Sequence, residues 1–478
     1  MEQTLIQKKE EDDGNIREEK SNRIQNNEPS DLSILTPERE KRLKEIREMN
    51  FFSRNFRALQ FGSMRGVIVM FLRLTLGAGV FTLPFYVSKF GYIVGPILIL
   101  LAGYVSMQSF FEIAEASEDS GKNNYFELIE HYLGRKTMQV FKVTYFLDIS
   151  SSPICAMIVI YSLMKLILGM TGLADPAWIK NVQKGEWDED LFEVKIVRGC
   201  FFFLFYWLSV SFLLKKNLFF LQKVNVLIIG ALVSLLVYTL LELPFFGNAY
   251  KGKITRTAFM PVDKTWLENI FALLMAYYAQ PFLFSLKEQL LLPTVDRMKK
   301  VARNTIIIEA VVFSVLGFTG YWCLGNEYTT DLIYQRVMYP GKNMFSERVF
   351  QLMLIFFFLC VMLGLAIFNP TIRDYFYDVL HLDRKNKTVY YVISLVPFAV
   401  YSIFCFIKPD IVFILNVSGV SFSNFNGLII PALMKAKINH RNQRWRQFYW
   451  CVFKLAVFII FGLIGFCFIV AGMISPSN

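Results

Sequence analysis

The sequence predicts an all-α polytopic membrane protein with eleven transmembrane helices. Three observations predict it. Of 478 residues, 54% are hydrophobic and only 19% charged, outside the usual balance of soluble domains. The apolar residues gather in eleven runs long enough to span a bilayer as helices. Lys and Arg concentrate in the stretches between those runs, so the net charge of +11 reports membrane orientation rather than nucleic-acid binding.

Residues 1–60 are polar, as in Gln7-Lys8-Lys9-Glu10-Glu11-Asp12-Asp13. They contain no apolar signal-peptide core, and composition predicts a disordered cytosolic tail. Residues 61–475 form the transmembrane domain. Its runs fall at 66–87, 92–115, 139–170, 196–214, 220–244, 266–286, 303–324, 347–370, 388–407, 409–434 and 447–472. The third is long enough to tilt or project beyond the bilayer. Basic residues favour the side holding Lys122, Arg135, Lys299, Arg384, Lys435 and Arg441. That side is expected to be cytosolic, with the N-terminus, and the C-terminus outside or lumenal.

The first run contains Arg73-Leu74-Thr75-Leu76-Gly77-Ala78-Gly79-Val80-Phe81-Thr82-Leu83-Pro84. Two glycines and a proline at mid-depth predict a broken helix. Irregular backbone at that depth is tolerated only against protein or a water-filled cavity. The sixth run carries Met275-Ala276-Tyr277-Tyr278-Ala279-Gln280-Pro281, a second amide and proline at mid-depth. The second lies five runs after the first, so the two segments point in opposite directions. Matched interruptions in two inverted halves mark the central site of a transporter. A broken helix presents backbone N–H groups at one end and carbonyls at the other. A zwitterion such as an amino acid complements both ends.

Ionisable groups inside a membrane are costly. Arg73 lies one turn before the first break. Asp148, in the third run, is either a proton or cation carrier, a partner for Arg73, or a structural group reaching cytosolic water. Glu309 is placed near the cytosolic interface of the seventh run. The seven cysteines show no metal-ligand spacing. Cys200 and Cys323 fall near one membrane face, with their pairing left open.

The order of these motifs resembles the amino acid/auxin permease family, with its proton-coupled and sodium-coupled neutral amino acid transporters. The residues that carry the likeness are Phe71-Leu72-Arg73 through Gly77-x-Gly79-x-x-x-Leu83-Pro84, then Gly91 and Gly95-Pro96. Lys287-Glu288-Gln289-Leu290, Gly320-Tyr321-x-x-Leu324-Gly325, Pro370-x-x-Arg373 and Gly427-x-x-Ile430-Pro431 continue it. The resemblance implies a leucine-transporter-type fold of two inverted five-helix repeats plus one extra helix, working by alternating access. It implies substrate contacts at Thr75, Leu76, Gly77, Ala78 and Gly79 and at Tyr277, Tyr278 and Gln280. Arg73 and Asp148 are the coupling candidates. Thr75 stands where the family usually has an amide, and Met70 where proton-coupled relatives carry a histidine. The eighth run offers only Gln351 and Cys360 between 350 and 368, a poor donor set for a hard cation. Proton or sodium coupling therefore stays open.

The expected function is secondary transport of small or neutral amino acids by symport, in the plasma membrane or a vacuolar or lysosomal membrane. The expected partners are an amino acid substrate and the lipid bilayer, with no nucleic acid, no cofactor and no metal. The alternative is a non-transporting amino acid sensor on the same fold, signalling through the tail. An enzyme would need paired carboxylates, a Ser/His set or a metal cluster near one face, and the sequence presents none.

Overall fold

The computed structural model describes residues 62–76, 80, 82–171, 214, 218–249, 255–260, 264–325, 344–407 and 411–474. The tail at 1–60, the glycine pair Gly77 and Gly79 with Ala78, the run at 196–214 apart from Leu214, and Cys200 lie outside the described residues.

The first apolar run forms two short helices. Helix α1 is Met64–Thr75, opened by Ser63, whose hydroxyl accepts the Gly66 N–H at 3.1 Å. Helix α2 is Leu83–Phe90, with Pro84 in its first turn. Proline fits there because first-turn N–H groups have no intrahelical acceptor. Gly91 ends α2 at φ 93°. A Cβ on Gly91 would stand 2.4 Å from the Ala258 carbonyl oxygen, so the segment 255–260 packs directly on its backbone, with Tyr92 N donating to Thr257 O at 3.1 Å.

Helix α3 runs Val94–Ser120 and ends at Gly121, φ 70°. A short helix the sequence reading lacked, α4 (Tyr125–Leu133), is capped by Asn124 accepting from Phe126 N. Helix α5 covers Arg135–Thr171 with Pro153 inside it, and α6 covers Leu218–Ala249. The sixth run is broken as expected: α7 (Lys264–Ala276), a 3-10 turn at Gln280–Phe282, then α8 (Leu283–Glu288).

Helix α9 is Val295–Leu324. It starts eight residues before the expected boundary because Thr294 caps it, accepting from Arg297 N. The eighth run contains an interruption that was not anticipated. Helix α10 (Met344–Gly364) gives way to a 3-10 turn at Leu365–Ile367, and α11 (Asn369–Leu380) restarts with Pro370 in its first turn. Helix α12 is Lys387–Ile407. The tenth run opens as α13 (Ile411–Val417), widens into π-helix at Ser418–Ser423 and Phe425–Ile429, and closes as α14 (Ile430–Arg441). Helix α15 is Trp445–Ile474.

Among the described residues, eight helical stretches are long and apolar enough to cross a membrane. The first run is absent from that set because its halves have 12 and 8 residues. The outward faces carry exposed Val143, Leu241, Leu352, Phe453 and Leu463, an apolar surface suited to lipid. The interior is aromatic: Phe71, Phe110, Tyr277, Phe313, Phe357 and Phe398 are fully buried. Helix α9 approaches α2 through small residues. A Cβ on Gly317 would stand 2.9 Å from Val87, and one on Gly320 would stand 2.5 Å from Pro84. The chain is a polytopic helical membrane protein.

Candidate functional site

The two breaks face a common cavity of about 130 Å³. The first contributes Arg73, Leu74, Thr75, Leu76, Val80 and Thr82 to its wall, and the second contributes Met275, Ala276 and Tyr278. The remaining wall comes from Ser152, Cys155 and Val159 of α5, Leu232 of α6, Phe313 of α9, and Phe357 and Val361 of α10. The lining is predominantly apolar, and no carboxylate belongs to it.

Arg73 gives the cavity its charge. It sits in the last turn of α1 and is 4% exposed. Its Nε has no hydrogen-bond partner among the described residues. A guanidinium is always charged and carries five donors. Buried without a counter-charge, such a group is strongly unfavourable unless an anion meets it. Across the gap, α2 begins with no side-chain hydrogen bond from Thr82 onto its first turn, and the positive end of its dipole favours negative charge.

Tyr277 and Gln280, expected at the substrate, lie behind the cavity wall. The Gln280 amide is consumed in holding the second break to α3. Its Oε1 accepts from Ala279 N at 3.0 Å, and its Nε2 donates to Ser106 Oγ at 3.1 Å. Ser106 Oγ in turn donates to the Tyr277 carbonyl at 3.1 Å. The break has lost its helical hydrogen bonds, and α3 supplies replacements. Tyr145 does the same for the Pro281 carbonyl at 3.1 Å.

Asp148 is 1% exposed and does not pair with Arg73. Three neutral donors surround its carboxylate instead. Ser423 Oγ donates at 2.7 Å, Asn426 Nδ2 at 2.9 Å, and the Tyr278 hydroxyl donates as well. Asp148 therefore fastens the second break and the π-helical stretch to α5. Asn426 is itself held, accepting from Thr144 Oγ1 at 2.8 Å, while its carbonyl accepts from Tyr125 at 2.7 Å.

Glu309 corrects the interfacial placement. It is 0% exposed, at mid-length on α9, and its Oε1 meets the Thr75 hydroxyl at the end of α1. Its Oε2 has no hydrogen-bond partner among the described residues. The Thr294 cap was the sequence signal that would have moved α9 toward its true start and Glu309 inward.

At one end of the bundle, the acidic face of α3 gathers Lys299, Lys435 and Arg441, expected on the cytosolic side, and Lys454 of the eleventh run. Glu115 meets Lys299 at 2.8 Å and also Lys435, Glu112 meets Lys454, and Asp119 meets Arg441. Among the described residues no cluster of His, Cys, Asp and Glu is arranged to hold a metal.

The profile of the family described as "Transmembrane amino acid transporter protein" matches residues 61–475. The chain is similar to "Vacuolar amino acid transporter 6" of Saccharomyces cerevisiae, at 23% identity over 286 residues. That match covers 58% of this chain, which thus spans 59% of the relative's length. Its fold is similar to that in "Crystal structure of MhsT in complex with L-phenylalanine", with a TM-score of 0.55 at 14% identity, covering 86% of this chain and all of that one. With the profile matching nearly the whole of the helical region, the chain belongs to the transmembrane amino acid transporter protein family.

Proposed function

We propose that the protein carries neutral amino acids across a membrane by alternating access, with the substrate held between the two broken helices. The observation that carries this reading is Arg73: a buried guanidinium whose Nε has no hydrogen-bond partner among the described residues, lining a cavity bounded by both breaks. The substrate carboxylate meets Arg73 and the uncapped start of α2. The ammonium meets the carbonyl end of α1, where the helix dipole favours positive charge. The side chain lies against Val159, Leu232, Met275, Phe313 and Phe357. That apolar wall favours neutral side chains and offers a cationic one no counter-charge.

The finer architecture belongs to the same reading. It comprises eleven spans, a leucine-transporter-type pair of inverted five-helix repeats plus one helix, and a cytosolic tail at residues 1–60. Thr75 to Gly79 and Tyr278 form the substrate contacts, with Tyr277 and Gln280 bracing them. The likeness to a yeast vacuolar transporter supports a vacuolar-type membrane, and coupling to an ion gradient makes the transport a symport.

The test is uptake by the full chain in proteoliposomes. Each radiolabelled L-amino acid is offered with and without pH and sodium gradients. Saturable uptake of neutral amino acids, blocked by their unlabelled forms but not by their carboxamides, is expected. Absence of uptake and of competition for every amino acid overturns the reading. Saturable binding without flux replaces it with a sensor.

A further inference from the structure

We infer that Glu309 is the proton-carrying group of the transport cycle, exchanging its proton where it meets the last turn of α1. The inference rests on the transport reading above but on a different observation: the isolation of the buried Glu309 carboxyl, held by the Thr75 hydroxyl alone among the described residues.

The Thr75 hydroxyl has one hydrogen to donate. It lies 3.2 Å from the Phe71 carbonyl, 3.3 Å from the Leu72 carbonyl, and against Glu309 Oε1. If Glu309 is ionised, every one of these oxygens is an acceptor, and Thr75 can satisfy only one. The carboxylate would then hold a full charge on a single hydroxyl, with Oε2 bare. If Glu309 is protonated, it donates to Thr75 Oγ1, and Thr75 donates to its own helix backbone. Oε2 has no partner in either arrangement, but only the neutral one avoids a full charge on a carboxyl that is 0% exposed and held by a single hydroxyl.

Among the described residues, no cation offsets a charge there. The titratable neighbour is Tyr277 of the second break, whose ring meets that of Phe313, one turn along α9, at a tilt of 58°. On α1, Arg73 lies toward the cavity and Cys360 of α10 rather than toward Glu309. No charged side chain of α2, α3 or α6 among the described residues interacts with Glu309. The acids of α3, Glu112 and Glu115, are already engaged by Lys454, Lys299 and Lys435. The four residues of the first break outside the described set, Gly77, Ala78, Gly79 and Phe81, bear no ionisable side chain.

The carboxyl is thus neutral while Thr75 lies against it. Movement of Thr75 away from α9 admits water, the Glu309 O–H bond breaks, its proton passes to water, and the carboxylate remains solvated. Reprotonation is required before Thr75 returns. One proton crosses with each substrate when loading and release occur on opposite sides.

Two measurements test this with the full chain. In proteoliposomes, radiolabelled L-leucine uptake is compared with and without a gradient of about one pH unit, which drives about tenfold accumulation at one proton per substrate. The readout is the ratio of the two uptakes, so a change in overall rate does not enter. Wild type should show the gradient response, and Glu309→Gln, which mimics the protonated carboxyl, should reduce the ratio to unity. A Glu309→Gln ratio equal to wild type, or a wild type that exchanges leucine with no response to pH, overturns the inference and leaves transport standing. Absence of any leucine exchange in wild type counts against both. Infrared spectra of purified protein at neutral pH give a readout independent of transport. A protonated-carboxyl band present in wild type and missing from Glu309→Gln is expected, and its absence from wild type overturns the inference.

Discussion

Gly427 carries no side chain because the Tyr278 ring fills its place: a Cβ there would stand 2.4 Å from the ring. The ring cannot swing aside cheaply, since its hydroxyl is tied to Asp148. Gly427→Ala should therefore cost about 1–3 kcal/mol by overpacking. Thermal unfolding in detergent reads that loss. The same displacement should weaken substrate binding, because Tyr278 is a wall of the cavity. An unchanged melting temperature and affinity would refute the packing account.

Arg73→Ala should abolish substrate binding while folded protein is recovered on size exclusion. Arg73→Lys should retain charge but lose the planar fork, weakening affinity by roughly tenfold or more, about 1.4 kcal/mol. Equilibrium binding of a labelled neutral amino acid checks both. Binding by Arg73→Ala at the wild-type level would remove the guanidinium from the site.

Asp148→Asn replaces one acceptor oxygen with an NH₂ group that faces donors. Ser423, Asn426 and Tyr278 all donate to that carboxylate, so at least one polar group is left unsatisfied. The expected loss is about 1–3 kcal/mol. Ser423→Ala, which removes a single donor, should cost less. Chemical denaturation of the two variants gives the ranking, and the reverse ranking would contradict this hub.

Glu115 takes Lys299 and Lys435 from two different helices. A double-mutant cycle between Glu115→Gln and Lys435→Met should give a coupling of about 0.5–3 kcal/mol. The cycle should also shift the rate at which this end of the bundle becomes accessible to cysteine-labelling reagents. Strict additivity would make the pair an incidental surface contact.

The two broken helices were legible because glycine and proline conflict with an apolar run at mid-depth, and Pro84 and Pro281 both lie at the restarts. Arg73 was legible for a similar reason, as a charge where none is cheap. Gln280 shows a second use for an amide at a break, the repair of lost backbone hydrogen bonds, which the residue type alone does not separate from meeting a ligand. Glu309 was misplaced by taking basic residues as the membrane boundary. Helix α9 begins at Val295, so Glu309 lies about 21 Å along it at 1.5 Å per residue. The wide turns at 418–429 left little trace in hydropathy. Their Ser- and Asn-rich sequence, Ser418-Gly-Val-Ser-Phe-Ser-Asn-Phe-Asn, marks polar work inside an apolar span.

Those wide turns have an evolutionary consequence. A π-helical turn closes its hydrogen bonds over one more residue than an α-helical turn. A residue deleted between Ser418 and Ile429 can be absorbed by a wide turn returning to α-helix, so that α13 and α14 keep their facing. Homologous chains aligned through this span should therefore concentrate their single-residue gaps within these twelve positions, a place where an ordinary membrane helix would tolerate none.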